Sequence, residues 1–336
     1  MSAKQSCLCL LKLTNESVRK MIRYVLKRIL LLIPIIICVS FIVYALVDLA
    51  PGNVVDAMIN ENMTYDDIDA LMRLYDLDKP MIYRYGKYMY NLLQGDLGVS
   101  LTSGLSIWDT FMERLPNTLI LSFSGLIIGL SCAIPLGIVA AKRAGSVIDS
   151  TVTVVAVIGV SLPVFWLALL LLQLFSQKLG WFPAGGMSRG LRSLILPAVC
   201  CGLMLMATAT RQTRSSLLEL LKADFLRTAR AKGVPEGTVI RRHALGNAWI
   251  PIVTVVGSSL AHSIANSVII EQVFAWPGIG RMATEGVLAR DTPTVLGAVM
   301  MTTVFYVMIQ ILVDIIYAFV DPKIKSLYVT SQKKKR

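Results

Sequence analysis

Six stretches of this 336-residue chain are apolar over about the width of a bilayer, and they fix the class of fold open to it. They run Leu30 to Leu49, Leu119 to Ala141, Val152 to Phe175, Leu194 to Thr210, Ile250 to Gln272 and Val295 to Phe319, with no Lys or Arg inside any of them. In hydrocarbon only helices and closed barrels satisfy their own backbone; a spanning helix needs about 20 residues and a barrel strand about 10. The runs fit helices. The expected fold is an all-α integral membrane protein with six transmembrane helices, and a composition 55% hydrophobic and 16% charged agrees with it. The first run follows a basic stretch and lacks a small-x-small cleavage site, so it reads as a retained span rather than a signal peptide. Residues 1–20 could precede the ordinary start, since Met21 opens a normal membrane-protein beginning.

Orientation follows from the connecting segments. Lys and Arg number 23 in the two ends plus the second and fourth loops, against 10 in the first, third and fifth. Basic residues collect on the cytoplasmic side, so both termini are expected there. The resulting divisions are a cytoplasmic N-terminal segment (1–28), a first transmembrane helix (29–49), an extracytoplasmic loop (50–118), a five-helix core (119–319) that includes a cytoplasmic loop at 211–249, and a basic cytoplasmic tail (320–336). The net charge of +12 lies on membrane flanks and loops, which points to anionic lipid headgroups and away from nucleic acid. Tyr83, Tyr85, Tyr88 and Tyr90 in the first loop have the spacing of an interfacial aromatic group.

Polar groups inside the spans are few. Asp48 and Glu271 are expected at outer ends where water is close, and Asp314 is expected to fasten the last span to a basic cytoplasmic segment. No Asp/Glu/His relay crosses the bilayer, which weighs against an ion-coupled transporter. With only His243 and His262, no paired-His metal site is available, and none is expected. His262 reads first as a hydrogen bond to a neighbouring helix and second as a pathway contact. Cys38, Cys132, Cys200 and Cys201 fall in spans as packing groups; Cys7 and Cys9 alone make a weak metal pair. Pro163 in the third run predicts a kink near Ser161. Gly257, Ser258, Ser259, Ala261, Ser263 and Ala265 give the fifth run a small-residue face that permits close helix packing. A permissive translocation path would be lined by Ser161, Ser258, Ser259, His262, Ser263 and Asn266.

The fourth loop is the exception to all this oil. From Arg227 to Pro251 it reads RTARAKGVPEGTVIRRHALGNAWIP. Ser215 to Arg230 predicts a helix with Leu217, Leu218, Leu221, Phe225 and Ala229 on one face; Gly233 ends it, and Pro235 with Glu236 starts another. Two helices hinged at a glycine and rimmed by Arg227, Arg230, Lys232, Arg241 and Arg242 make a knob suited to docking a protein. A basic loop lying on lipid explains the charge but not the Gly-Val-Pro punctuation. A scaffold that anchors a cytosolic enzyme would explain the knob but not the kinked, small-residue helices.

This loop resembles the EAA-type coupling loop of binding-protein-dependent ABC importer permeases, in the form found in the dipeptide, oligopeptide and nickel transporter family. The resemblance extends from Met21 onward through LAPGN, LYDLDKP, QGDLGVS, RLPNTL, SLPVFWL, EQVFAWPGIGR and VDIIYAFVDPKIK. Arg227 and Thr228 stand where the general motif has glutamate and alanine. The resemblance implies a type I ABC importer permease fold in a prokaryotic cell membrane, as the first, long-outer-loop type of two homologous permeases. It also implies two cytoplasmic ATPase subunits and an extracytoplasmic substrate-binding protein. Coupling to the ATPase would fall to Asp224, Arg227, Thr228, Ala229, Arg230, Ala231, Lys232, Gly233 and Pro235. The outer gate or binding-protein contact would fall to Gly95, Asp96, Gly98, Glu271, Phe274, Pro277, Gly278 and Gly280. The implied cargo is short peptides, with nickel or another small solute as alternatives. A phosphate-binding G-x-x-x-x-G-K-[ST] is absent, so no enzyme activity is expected, and ATP with its Mg would belong to the partner subunits.

Overall fold

The computed structural model describes residues 3–50, 52, 55–57, 59, 63–239, 256–257, 259, 263–264 and 266–320. Ten helices carry the architecture: α1 (Ala3–Leu49), α2 (Tyr65–Leu74), α3 (Met81–Leu93), α4 (Ile107–Lys142), α5 (Val147–Ser161), α6 (Val164–Leu171), α7 (Leu191–Leu221), α8 (Asp224–Ala231), α9 (Ile279–Leu288) and α10 (Thr292–Val320). Residues 266–273 are helical as well. Within the described residues no named β-strand occurs, and one isolated bridge, Val99 with Ser106, closes a hairpin of the outer loop.

Among the described residues four single helices are long and apolar enough to cross a membrane, and α5 with α6 passes the same test only as a bent pair. Residues 250–255, 258, 260–262 and 265 of the fifth apolar run lie outside the described residues, and with them Ser258, Ala261, His262 and Ala265. The third run is not a kinked helix, as Pro163 had predicted. It is two helices bent by 100°. The residue before a proline is pushed out of the α region, and here both Leu162 (ψ 131°) and Pro163 (ψ 132°) are extended, which turns the chain instead of bending it. Beyond α6 the chain continues as a π-helical segment, Leu172–Lys178.

The bundle is organised around α4 and α7, the most extensively paired helices among the described residues. Gly125, Gly129, Ala133 and Gly137 recur every four residues and so form one stripe of α4. A Cβ on Gly125 would lie 2.5 Å from the Cys201 Cβ, on Gly129 2.7 Å from the Gly202 carbonyl, and on Gly137 2.6 Å from the Thr213 Cβ. The two backbones therefore touch along several turns. In lipid this van der Waals contact, not hydrophobic burial, holds helices together. Cys200 and Cys201 are buried in it, but Cys38 and Cys132 are exposed, which removes them from the packing role expected of them.

Outside the apolar runs, the first loop is structured. Thr64 caps α2 through a reciprocal capping box with Asp67. Helix α3 lies against the outer half of α1, where the Tyr85 hydroxyl donates to the Ile37 carbonyl at 3.2 Å. Helical periodicity divides the four tyrosines: Tyr85 and Tyr88 turn inward, while Tyr83 and Tyr90 are exposed. At the other face of the membrane Arg28 meets Asp314 at 2.9 Å, the basic anchor expected for that aspartate.

Candidate functional site

The inner site is built where α7 outruns its apolar stretch. A continuous helix was expected from Ser215 to Arg230, but α7 ends at Leu221, Ala223 is extended (ψ 143°), and α8 begins at Asp224. The break has a packing cause. At 100° per residue, Leu226 would point opposite Leu217 in an unbroken helix, since nine residues separate them. With the break, both join one buried cluster with Ala141 of α4 and Val239. Leu226 fastens α8 to the inner ends of α4 and α7.

The rest of α8 faces outward. Asp224, Arg227, Thr228, Arg230, Ala231, Lys232, Gly233 and Pro235 are exposed, and Ala229 is half-buried against the cluster. Phe225, expected on the apolar inner face, is instead 45% exposed. It supplies an aromatic group amid a basic rim, a combination favoured where proteins dock. Gly233 has φ +78°, and its amide bonds to the Arg230 carbonyl at 2.9 Å while the Val234 amide reaches the Ala229 carbonyl at 3.3 Å. That pair of bonds is a Schellman closure, which needs the left-handed conformation at this position. The restart at Pro235 is a short helical turn, Glu236–Thr238, and Arg241 and Arg242 lie outside the described residues.

The outer site is a clamp assembled from two distant motifs. Glu271 is fully buried. Its Oε1 accepts hydrogen bonds from Thr118 Oγ1 (2.7 Å) and Ser267 Oγ (3.0 Å), and its Oε2 accepts from the Arg281 amide (3.0 Å). Thr118 Oγ1 in turn accepts from the Ile279 amide (2.9 Å), Asn117 donates to the Pro277 carbonyl (2.9 Å), and the Trp276 indole donates to the Asn117 carbonyl (3.0 Å). This corrects the expectation of a water-exposed Glu271: water is not close, and the carboxylate is satisfied by protein donors. Gly278 lies against it, since a Cβ there would come within 2.3 Å of the carboxyl carbon. Phe274, Gly278 and Gly280 are buried as well, and Pro277 is half-buried. The other acid, Asp48, pairs with Arg84 at 2.6 Å.

Gly95 and Asp96 are exposed at the turn of the QGDLGVS segment, where Asp96 Oδ1 accepts from the Gly98 amide at 2.7 Å. The adjoining Leu97 joins Ile107, Phe111, Ile279 and Met282 in one cluster, so the hairpin and the clamp form one outer assembly. Asp291 completes it: its Oδ2 accepts from Ser100 Oγ (2.6 Å) and Thr294 Oγ1 (2.9 Å), tying the hairpin to the start of α10. Beside this assembly a cavity of about 770 Å³ is lined by Tyr44, Asp48, Arg84, Tyr88, Asp96 and Arg290, among others.

The path residues are only partly described. Ser161 ends α5 exposed, its hydroxyl donating to the Val157 carbonyl at 2.9 Å. Ser259 and Ser263 are half-buried and Asn266 is exposed. Among the described residues no hydrogen bond joins Ser161 to the others, and no group of three or more His, Cys, Asp and Glu could hold a metal. Thr118, Ser267 and Asp291 were missed in the sequence. A signal existed for Asp291, an acid just ahead of a helix-opening Thr-Pro; none existed for the long-range partner Thr118.

A helical bundle with membrane-spanning helices, a helical knob at one end and a polar clamp at the other, defines the class as a multi-pass membrane protein. Residues 133–326 match the family described as "Binding-protein-dependent transport system inner membrane component", and residues 21–122 match its companion, "Binding-prot-dependent transport system membrane comp, N-term". The chain belongs to this family of ABC transport permeases and is a multi-pass protein of the cell membrane. It is 36% identical over 315 residues to the oligopeptide transport system permease protein AppB of Bacillus subtilis, covering 91% of this chain and 100% of the relative. It is 34% identical over 332 residues to the dipeptide transport system permease protein DppB of Alkalihalophilus pseudofirmus, covering 91% and 100%. The methionine ABC transporter MetNI, solved in inward-facing conformations, shares the fold with a TM-score of 0.54 at 19% identity, over 63% of this chain and 96% of that one.

Proposed function

We propose that this chain is one of two homologous membrane subunits of an ATP-driven importer for short peptides. The observation that carries the reading is α8: an exposed, basic, aromatic-tipped helix closed by Gly233 and fastened through Leu226 to the bundle. A helix so placed is a handle by which a cytoplasmic ATPase acts on the membrane helices. The peptide cargo is supported by the names of the relatives, which are oligopeptide and dipeptide permeases. Two ATPase subunits bind the ATP and Mg, a second permease completes the pore, and an extracytoplasmic protein delivers substrate to the outer assembly. The chain itself performs no chemistry; it offers two arrangements of a path, and nucleotide binding in the partners biases one over the other.

The test is uptake by vesicles that carry the whole complex and its binding protein. Labelled peptides of two to six residues are expected to accumulate only with ATP on the side where α8 lies, and to keep accumulating after an uncoupler is added. Collapse with the proton gradient would favour an ion-coupled carrier, and competition by nickel but not peptide would reassign the cargo. A separate measurement checks the topology. With the six native cysteines replaced, Lys333→Cys is expected to react with an impermeant maleimide only from the cytoplasmic side. Labelling from outside would invert every assignment of face made above.

A further inference from the structure

At the inner end of the bundle an arginine and an aspartate from two different helices pair through a two-pronged contact. Arg214 lies on the inner extension of α7, ten residues before α8 begins. Its Nε donates to Asp149 Oδ1 at 2.5 Å and its Nη2 to Asp149 Oδ2 at 2.8 Å. Asp149 is 4% exposed and sits in the first turn of α5, where the Gly145 amide also donates to its Oδ2 at 2.9 Å and its own amide reaches Ser146 Oγ at 3.4 Å. An acid in a helix's first turn is favoured by the dipole alone. The two-pronged fork with an arginine from another helix is not explained that way, because it fixes distance and angle together.

The surroundings give the fork its meaning. Helix α7 is locked to α4 by the small-residue stripe and to α8 by the cluster around Leu226, so these three move as a body. Higher in the bundle Gly159 of α5 lies against Ala207 of α7, an apolar contact that sets no angle between the two helices. Beside the short turn 143–146 that joins α4 to α5, Arg214 with Asp149 is a directional polar link from that body to α5, and so to the 100° break between α5 and α6. We infer that Asp149 and Arg214 form a positioning pair that makes the broken span follow the coupling helix, converting a displacement of α8 into movement at the Ser161–Pro163 turn. Without the fork, α8, α7 and α4 still shift with the ATPase while α5 lags.

This rests on the proposed ATP-driven transport, and the test keeps the two apart. The complete complex, reconstituted with its binding protein, is assayed for peptides transported per ATP hydrolysed. Asp149→Asn and Arg214→Gln are each expected to lower that ratio at least fivefold while the ATPase subunits stay bound. The double variant should be no worse than either single change, because the fork is already broken by one. Arg214→Lys, which keeps the charge but cannot make the fork, should assemble normally and still lower the ratio at least twofold. If the Asn and Gln variants fail to assemble, the Lys variant decides. A merely structural contact would reduce transport and hydrolysis together and leave the ratio unchanged; an unchanged ratio, or losses that multiply in the double variant, overturns the inference. Wild-type complex that transports without ATP would count against the proposed function instead.

Discussion

Replacing Gly233 by valine is expected to cut peptide-stimulated ATP hydrolysis and uptake at least fivefold while the chain still inserts normally. The reason is the backbone rather than a clash, since nothing lies within 4 Å of a Cβ built at this position. At φ +78° a β-branched residue pays roughly 1–2 kcal/mol, about a 5- to 30-fold change in the population of the closed turn. The Schellman bonds then loosen, and α8 loses its fixed angle to the bundle. Gly233→Asn is the control that separates backbone from bulk. Asparagine is close to valine in size but visits the left-handed region far more readily, so it should keep more than half of the activity. Co-purification of the ATPase and stimulated hydrolysis would be measured for both, and equal losses would show that the docking surface tolerates no side chain there at all.

The second large effect is expected at the outer clamp. Glu271→Ala deprives Thr118, Ser267 and the Arg281 amide of their acceptor at once. An unsatisfied buried group costs about 1–3 kcal/mol, so the loss should reach about 3 kcal/mol, read as a lower midpoint of thermal unfolding in detergent. Gly278→Ala attacks the same point from the other side, driving a methyl into the carboxylate. The two changes should compensate in part, because the alanine methyl at 278 enters the space that the missing carboxyl leaves. Strictly additive losses in the double variant would mean that the two residues do not share one packed site. Glu271→Gln, which keeps the shape and can still accept from two donors, should lose less than Glu271→Ala.

Much of this architecture could be read from the sequence because membrane spans obey a one-dimensional rule of length and apolarity. Four of the six runs reappear as single helices, and the third as two helices set at 100°. What the rule could not supply were helix ends. Helix α4 starts at Ile107 and α7 runs to Leu221, each well beyond its apolar run, because outside the hydrocarbon the limits are set by caps and tertiary contacts. The helical segment ahead of Gly233 was legible down to its closing glycine, since a positive φ leaves a mark in residue type. The orientation of Phe225 was not, because it depended on a helix break at Ala223 that no glycine or proline announces. Glu271 shows the same limit on the outer face: its depth was read as position along a helix, whereas Thr118, from 153 residues earlier, buries it. The small-residue stripe of α4 is visible in the sequence as a four-residue repeat, Gly125, Gly129, Ala133 and Gly137, but the repeat does not say which helix fills it.

The stripe also bears on how the protein comes into being. Helices α4 and α7 are not neighbours in the order of synthesis; Thr210 reaches the Ala133 carbonyl across 77 residues of chain, with α5 and α6 between them. Spans that enter the bilayer one at a time must therefore wait, each with an open glycine groove, until the later helix has left the insertion machinery. The centre of the molecule can close only after its intervening segment has been made, so the groove of α4 is filled late, after α5 and α6.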